Sequence, residues 1–308
     1  MSAFDATPQH HEPDRRRASS AVPPEPVPTR IDASDPRVDP YRSLRDPDLV
    51  RAGEGAGWFI GEQALVIERM LARTGTAVSI LASERMAERA VDLVRQGSDR
   101  DVPILVASDE VIESIVGFDL HRGLLALGRR PEDGLARIEA ALADQSRPVA
   151  LLACEEIRNI DNIGLLFRNA AAFAVEGVLL SPGCHDPLYR KSLRVSIGHA
   201  LDIPFARIAE WPQGLAQFRD RHRLTLIGTA TETNATAVHQ IDPPDRLLLL
   251  VGSEFPGVTA AARSHCDRLA RIPMAPEVDS LNVAVAAAAC LAQLCGPRLE
   301  ASRQGRGK

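Results

Sequence analysis

The clearest pattern in the chain is a series of short, wholly apolar runs that alternate with amphipathic stretches after residue 149. The apolar runs lie at 149–154, 178–180, 224–227, 247–251 and 269–272. Helical spacing of apolar residues follows at 164–174, 191–197, 211–221 and 281–294. Wholly apolar strands that alternate with helices indicate a parallel sheet covered on both faces. Residues 149–296 are therefore predicted to form one α/β domain.

A smaller α/β pattern precedes this domain. Apolar runs predict strands at 78–81, 104–107 and 123–127, and helical spacing predicts helices at 59–73, 86–96 and 109–115. This unit is assigned to residues 41–130, and an alanine-rich helix over 131–148 is predicted to link it to the next domain. Residues 1–40 are rich in proline and charge, and 297–308 end in a polar run. Both are expected to be disordered tails.

Composition narrows the class of protein. The net charge of −5 argues against a protein that coats nucleic acid without discrimination. The five cysteines are odd in number and scattered without a CxxC pair, so neither a disulfide framework nor a metal site is predicted. No apolar run is recognised that reaches the roughly 18 to 20 residues of a membrane helix, and no secretory leader is evident. A cytoplasmic protein without a membrane partner is expected.

Ligands in parallel sheets bind at the carboxyl ends of the strands, so the loops there are the places to search. The usual nucleotide fingerprints are missing, because the chain has no GxxxxGK[ST] and its glycine cluster at 53–57 lacks a preceding strand. Three other segments stand out in these loops. They are N-I-G-L-L-F-R-N at 162–169, V-G-S-E-F-P-G at 251–257, and I-P-M, five residues and S-L-N-V over 272–283.

Each segment has an ordinary structural explanation. Asn162 stands where the N-cap of a helix is expected, and Ser253 could cap a strand-to-helix turn. Ser280 and Asn282 could likewise cap the apolar helix that follows them. Taken singly, the segments do not distinguish capping from chemistry.

As an ordered trio, the segments resemble the SpoU/TrmH family of the SPOUT superfamily of RNA methyltransferases. The resemblance implies transfer of a methyl group from S-adenosylmethionine to a ribose 2′-hydroxyl in rRNA or tRNA. It also implies a C-terminal trefoil knot and an active site that forms across a homodimer. The first unit resembles the ribosomal-protein-like RNA-binding domain common in this family, with His121-Arg122-Gly123 matching its closing segment.

The resemblance assigns roles to particular residues. Arg168 is expected to bind the adjacent phosphate and stabilise the forming alkoxide, since a guanidinium is almost never deprotonated in a protein. Asn162 is expected to bind RNA or orient Arg168, and Glu254 to fix the arginine or the loop. Ser280 and Asn282 are expected to contact the ribose or order the knot. The expected cofactor-binding positions are Thr229, Thr231, Gly252, Ile272, Met274 and Leu281.

A basic cluster outside the trio is a candidate RNA contact. Arg190, Lys191 and Arg194 precede or begin a predicted helix and could bind phosphates. The alternative is a solvated basic helix face. Two other functions stay open at this point: a catalytically silent RNA-binding or ribosome-assembly protein that keeps the fold, and a nicotinamide- or nucleotide-binding enzyme. The target RNA is not predicted.

Overall fold

The computed structural model describes residues 25–42, 57–118, 120, 122–132 and 134–305. They form two sheets with helices packed against them. The first sheet has the spatial order β1-β4-β3-β5-β2. Its strands are β1 (Pro28–Arg30), β2 (Trp58–Glu62), β3 (Ala77–Ser83), β4 (Ile104–Ala107) and β5 (Leu124–Arg129). Helices α1 (Ala64–Leu71), α2 (Ala87–Gln96) and α3 (Asp109–Val116) connect them.

The first sheet mixes parallel and antiparallel pairs. β5 runs antiparallel to both β2 and β3, whereas β4 is parallel to β3 and β1. The strand β2 was predicted as the beginning of a helix over 59–73, which is wrong for its residues. Pairing with β5 along its whole length outweighs the helical spacing there, and the helix begins only after Gln63, where φ is +82°.

The predicted disordered tail over residues 1–40 is wrong for the part that the structure describes. β1 pairs with β4, and a 3-10 helix at Pro36–Tyr41 places Val38 and Tyr41 in the core with no exposed area. The sequence did not predict this segment for two reasons. Its composition is rich in proline, and a three-residue edge strand with two buried side chains is too short to give a periodic pattern. Residues 1–24 lie outside the described part of the chain.

The second sheet is parallel at every described pairing, with the order β10-β12-β9-β11-β6-β7-β8. Its strands are β6 (Val149–Glu155), β7 (Gly177–Leu180), β8 (Phe205–Arg207), β9 (Thr225–Thr229), β10 (Thr236–Ala237), β11 (Arg246–Gly252) and β12 (Arg268–Arg271). The five apolar runs predicted here are all strands, as the wholly buried β6 and β11 illustrate. The edge strands β8 and β10 were missed because two or three residues give too short a pattern.

Helices surround this sheet. They are α4 (Gly134–Leu142), α5 (Ile160–Ala172), α6 (Arg190–Val195), α7 (His199–Asp202), α8 (Gln213–Arg221), α9 (Ala260–Arg263) and α10 (Val283–Gly305). The predicted linker over 131–148 contains α4, which packs Ile138 into the core beside β6 and β7. The predicted C-terminal tail from 297 is wrong through residue 305, because α10 continues through Pro297. Residues 306–308 are outside the described chain.

The helix α10 is also more apolar than the sequence reading recognised. Val283–Glu300 has a mean hydropathy of 1.2 over 18 residues, which suffices to cross a membrane by length and composition alone. In the fold, its Ala287, Cys290 and Leu291 are wholly buried against the rest of the core. One face of α10 therefore packs into the core, and 39% of this window is buried.

The two sheets are joined by a continuous interface. One apolar cluster runs from Phe59 and Met70 of the first unit to Leu193 of the second. Charged pairs flank it: Glu62 lies 2.8 Å from Arg194, and Arg69 pairs with Asp202. The first unit is therefore packed against α6 and α7 rather than held by the chain connection alone.

Candidate active site

The carboxyl edge of the second sheet contains a cavity of about 340 Å³. The loops after β9, β11 and β12 converge there because these strands are neighbours in a parallel sheet. All six predicted cofactor positions line this cavity: Thr229, Thr231, Gly252, Ile272, Met274 and Leu281. Its size falls within the roughly 300 to 1,000 Å³ of small-molecule sites. The six positions therefore surround one cavity, and their role in binding a cofactor stays a prediction.

Gly252 permits the wall of this cavity to form. A Cβ at this position would overlap the carbonyl carbon of Gly257 and the amide nitrogen of Val258. The loop after β11 therefore folds back against the last residue of its own strand, and only glycine leaves room for that contact. Backbone groups of the loop after β11 therefore approach the cavity at this point, which suits recognition of a ligand edge by N–H and C=O.

Three polar side chains from three separate segments meet at one edge of the cavity. The Asn162 side-chain amide donates to Oε1 of Glu254 at 2.9 Å. The Asn282 amide donates to Oδ1 of Asn162 at 2.9 Å and to Oε1 of Glu254 at 3.3 Å. One predicted residue from each motif therefore belongs to a single hydrogen-bond network.

The helix α10 determines how these amides point. Oδ1 of Asn282 accepts from the backbone N–H groups of Ala284 and Val285, which caps the helix. Its amide nitrogen must then face Asn162 and Glu254. Because Asn162 accepts through its oxygen, its own amide nitrogen is directed at the Glu254 carboxylate. The Asn282 side chain therefore does two things: its oxygen caps α10, and its amide nitrogen donates to Asn162 and Glu254.

Asn162 is not the N-cap of α5, contrary to the sequence prediction. Asn159 occupies that position, and its Oδ1 accepts from the N–H groups of Asp161 and Asn162. The helix begins one turn earlier than expected, and the Asn162 side chain is free to join Glu254. Gly164 allows α5 to approach α6, since a Cβ there would lie 2.7 Å from Cβ of Val195.

Arg168 does not join this network within one chain. It follows Asn162 by six residues, which rotates it by roughly 120° around the helix axis. Asn169, by contrast, shares the face of Asn162 and donates to the carbonyl of Ala284 at 2.7 Å. Arg168 is exposed and forms no hydrogen bond or ion pair with the described residues. The expectation that Asn162 orients Arg168, or that Glu254 fixes it, therefore does not hold inside a single chain.

Arg168 lies instead on the side of α7. Burial lowers the pKa of His199, and the charges of Arg69 and Arg168 lower it further. Two more predicted residues also stand apart from the network. Ser280 lines the cavity without a hydrogen-bond partner in the described chain, and Leu281 is partly exposed at its rim.

The predicted RNA-contact cluster is engaged inside the protein. Arg194 and Arg190 lie 2.8 and 4.0 Å from Glu62, and the Arg190 guanidinium lies 4.4 Å from the centre of the Phe118 ring. Lys191 pairs with Asp161 at 2.8 Å. These side chains connect α6 to the first unit and to α5. A role in binding RNA stays a prediction for all three.

The sequence pattern did not identify Glu155, a buried carboxylate that holds the loop after β11. Glu155, at the end of β6, is 2% exposed, and its carboxylate accepts from the Trp211 indole N–H and the Thr259 hydroxyl, both at 2.8 Å. The backbone N–H of Thr259 donates to it as well, at 2.8 Å. This carboxylate ties the loop after β11 to β6. Its only sequence signal is an acidic residue directly after a wholly apolar strand.

Comparison with known proteins places the site within a known protein family. Residues 150–292 match the SpoU rRNA Methylase family. The chain is 41% identical over 266 residues to an uncharacterized tRNA/rRNA methyltransferase of Mycobacterium bovis, covering 83% of this chain and 88% of that relative. The chain belongs to the SpoU rRNA methylase family. The matched range contains Asn162, Glu254 and Asn282, so the whole network lies inside the family domain.

Solved structures agree with the assignment of a SpoU fold. The methyltransferase AviRb of Streptomyces viridochromogenes, in complex with AdoMet, superposes with a TM-score of 0.72 at 22% identity, covering 86% of this chain and 100% of its own. A structure described as an RNA 2′-O ribose methyltransferase gives a TM-score of 0.68 at 25% identity, covering 89% and 100%. Both superpositions cover a larger share of the chain than the family match over residues 150–292.

Proposed function

We propose that this SpoU family protein transfers a methyl group from S-adenosylmethionine to a ribose 2′-hydroxyl of rRNA or tRNA, in the cytoplasm. The observation that carries the proposal is that the six expected cofactor positions surround one cavity, with the Asn162–Glu254–Asn282 network at its edge. The relative named a tRNA/rRNA methyltransferase and the neighbour named a 2′-O ribose methyltransferase support the substrate class.

The residues of the cavity suit this cofactor. Ile272, Met274 and Val283 provide apolar walls, and the backbone of the loop after β11 provides polar groups. When bound, S-adenosylmethionine supplies an electrophilic methyl group whose sulfonium is already an activated leaving group. The protein is then required to hold the two reactants in line, which accounts for a site without an obvious general base.

The Asn162–Glu254–Asn282 network positions groups at the cavity edge and does not itself take part in the methyl transfer. Glu254 holds two amides at the cavity edge, and Asn282 anchors both to the end of α10. We assign Arg168 to the substrate phosphate and to the oxyanion that forms when the 2′-hydroxyl attacks. The hydroxyl proton leaves to phosphate or water, since the guanidinium stays protonated.

Because Arg168 is remote from the network of its own chain, this assignment requires a second protomer. The proposal therefore includes a homodimer in which Arg168 of one chain completes the site of the other. The expected C-terminal knot, and RNA binding by the first unit, belong to the same proposal.

Tritiated methyl transfer to total RNA from cells that lack the gene, followed by mapping of 2′-O-methyl positions, tests the activity. We expect incorporation at specific ribose positions, together with cofactor binding in calorimetry. RNA binding without cofactor heat or incorporation would instead identify a catalytically silent protein. For Arg168, replacement by Lys is expected to abolish most transfer, and unimpaired transfer with normal RNA binding would contradict its role.

A mixed dimer tests the shared site. Arg168→Ala and Glu254→Ala chains, each inactive as homodimers, are co-expressed with different tags and purified as the mixed species. If the two residues act across the dimer, one of the two symmetric sites is intact, and about half of the wild-type activity returns. If both act within one chain, no site is intact and no activity returns.

A further inference from the structure

A second cavity adjoins the first. It encloses about 560 Å³ between the loop after β6 and the loop after β11. The two cavities share the segment 253–256, and Glu254 lines both. Asn162 lies in the wall of the second cavity, so the hydrogen-bond network stands at the boundary between them. A group held in the second cavity is therefore a direct neighbour of the expected cofactor.

Phe255 is an unusual feature of that boundary. Its side chain is 91% exposed, more than any other large hydrophobic residue in the described chain. It protrudes from the shared segment and lines both cavities. An aromatic face that is open to solvent at the mouth of a cavity is suited to stacking on an unpaired base.

Arg158 faces the same cavity from the other loop. Its side chain is 80% exposed, and it donates to Oε2 of Glu156 at 2.8 Å. This hydrogen bond is the main reason that the pKa of Glu156 lies below its usual range. Exposed pairs of this kind contribute little to stability, so the guanidinium can exchange Glu156 for a phosphate at small cost.

Charge in the second cavity limits how a nucleotide can enter. Glu156 and Glu254 place carboxylates at its lining, which repel a phosphate from the interior. Arg158, by contrast, offers its cation at the exposed side. The uncharged base and ribose are therefore directed toward Asn162 and Phe255, and the phosphate toward Arg158.

We infer that the second cavity receives an unpaired nucleotide of the RNA substrate, with Phe255 stacking on its base and Arg158 binding its phosphate. The inference rests on the proposed function and deepens it. It makes Phe255 and Arg158 determinants of RNA affinity rather than of the methyl-transfer step. It also implies that the target nucleotide is flipped or lies in a single-stranded loop, since a paired base cannot reach Phe255.

Steady-state transfer kinetics test this inference, with total RNA from cells that lack the gene as substrate. Phe255→Leu is expected to raise the KM for RNA roughly tenfold with little change in kcat, because the stacking contact is lost. Phe255→Trp should retain the wild-type KM, and Arg158→Gln should raise it. The affinity for S-adenosylmethionine should stay unchanged in all three.

Matched controls come from α4 and α8 of the second unit, whose residues line neither cavity. Leu135→Ala removes an exposed apolar side chain, and Arg221→Gln breaks an exposed pair with Glu139. Both should leave the KM for RNA unchanged. A normal KM in Phe255→Leu overturns the inference, as does a loss of the dimer in Phe255→Leu on size-exclusion chromatography, which would make Phe255 a contact between protomers.

Ultraviolet crosslinking to the same RNA, with mass spectrometry of the peptides, gives a readout that does not depend on activity. A nucleotide adduct on Phe255 is expected in the wild type. An adduct without any methyl transfer would contradict the proposed function but support this inference. Transfer with adducts elsewhere and none at Phe255 would support the proposed function and overturn this inference.

Discussion

Each unit of the protein contains a network of polar side chains, and the two networks differ in their access to solvent. In the first unit, the Tyr41 hydroxyl donates to the carbonyl of Ser79 at 2.9 Å and accepts from the N–H of Leu127 at 3.1 Å. Tyr41 has no exposed area. In the second unit, Glu254 lines a cavity and accepts from the Asn282 amide at 3.3 Å, and both side chains are exposed.

The two networks differ because one satisfies buried backbone groups and the other lies beside a cavity. The pairing of β3 with β5 is irregular between Ala77 and Ser79, and the Tyr41 hydroxyl satisfies backbone groups at that irregularity. Such a buried network has no capacity for another ligand. The Glu254 carboxylate faces a cavity, so it can hold neighbouring side chains while a substrate binds. The first network is therefore expected to govern stability and the second to govern activity.

The largest expected effect is on methyl transfer in Glu254→Ala. Loss of the carboxylate releases the Asn162 and Asn282 amides, and displacement of site groups by about 1 Å can cost on the order of 100-fold in rate. The melting temperature should change little because Glu254 is exposed. Glu139→Ala, which removes an exposed carboxylate of α4, is the control and should retain activity. An equal loss of methyl transfer in Glu254→Ala and Glu139→Ala would contradict a special role of the Glu254 network in activity.

The complementary change is Tyr41→Phe. It leaves the buried Ser79 carbonyl and Leu127 N–H without this partner, at a cost of about 1 to 3 kcal/mol in the free energy of unfolding. Denaturant titration measures the loss, and transfer activity below the transition should stay normal. Tyr189→Phe is the matched control, because its hydroxyl has no hydrogen bond within the described residues. A stable but inactive Tyr41→Phe would contradict the assignment.

A smaller effect is expected at the boundary between the units. Glu62→Gln removes the charge that faces Arg190 and Arg194, while the amide oxygen can still accept from one of them. We expect a loss of about 1 kcal/mol, since both arginines keep partial access to water. Calorimetry at low and high salt measures it. A wild-type transition at both salt concentrations would show that apolar contacts alone join the units.

The smallest effect concerns the thiol in the cavity wall. Burial raises the pKa of Cys290 to about 12, so the thiol stays neutral and unreactive at every pH well below that value. Iodoacetamide at pH 8 should therefore leave Cys290 unmodified in the folded protein and modify it after unfolding, as read by mass spectrometry. Rapid modification in the folded state would mean that the wall of the cavity opens.

Local sequence pattern predicted the elements best where burial is complete. The strands β6 and β11 are wholly apolar, so no register or partner was needed to recognise them. The helix start at Asn162 was misplaced because Asn159 and Asn162 both have capping side chains. Only the tertiary contact with Glu254 distinguishes which of the two is free for another role.

The sequence by itself determined the class of the domain, the family and the positions that surround the cavity. These depend on apolar runs and on the order of three short motifs, which are local properties of the chain. The tertiary structure decided which residues act together. Asn162, Glu254 and Asn282 are separated by 92 and 28 residues, and they meet because parallel strands end at one edge. It also separated Arg168 from that group, since helix rotation and the packing of α5 determine which face reaches the cavity.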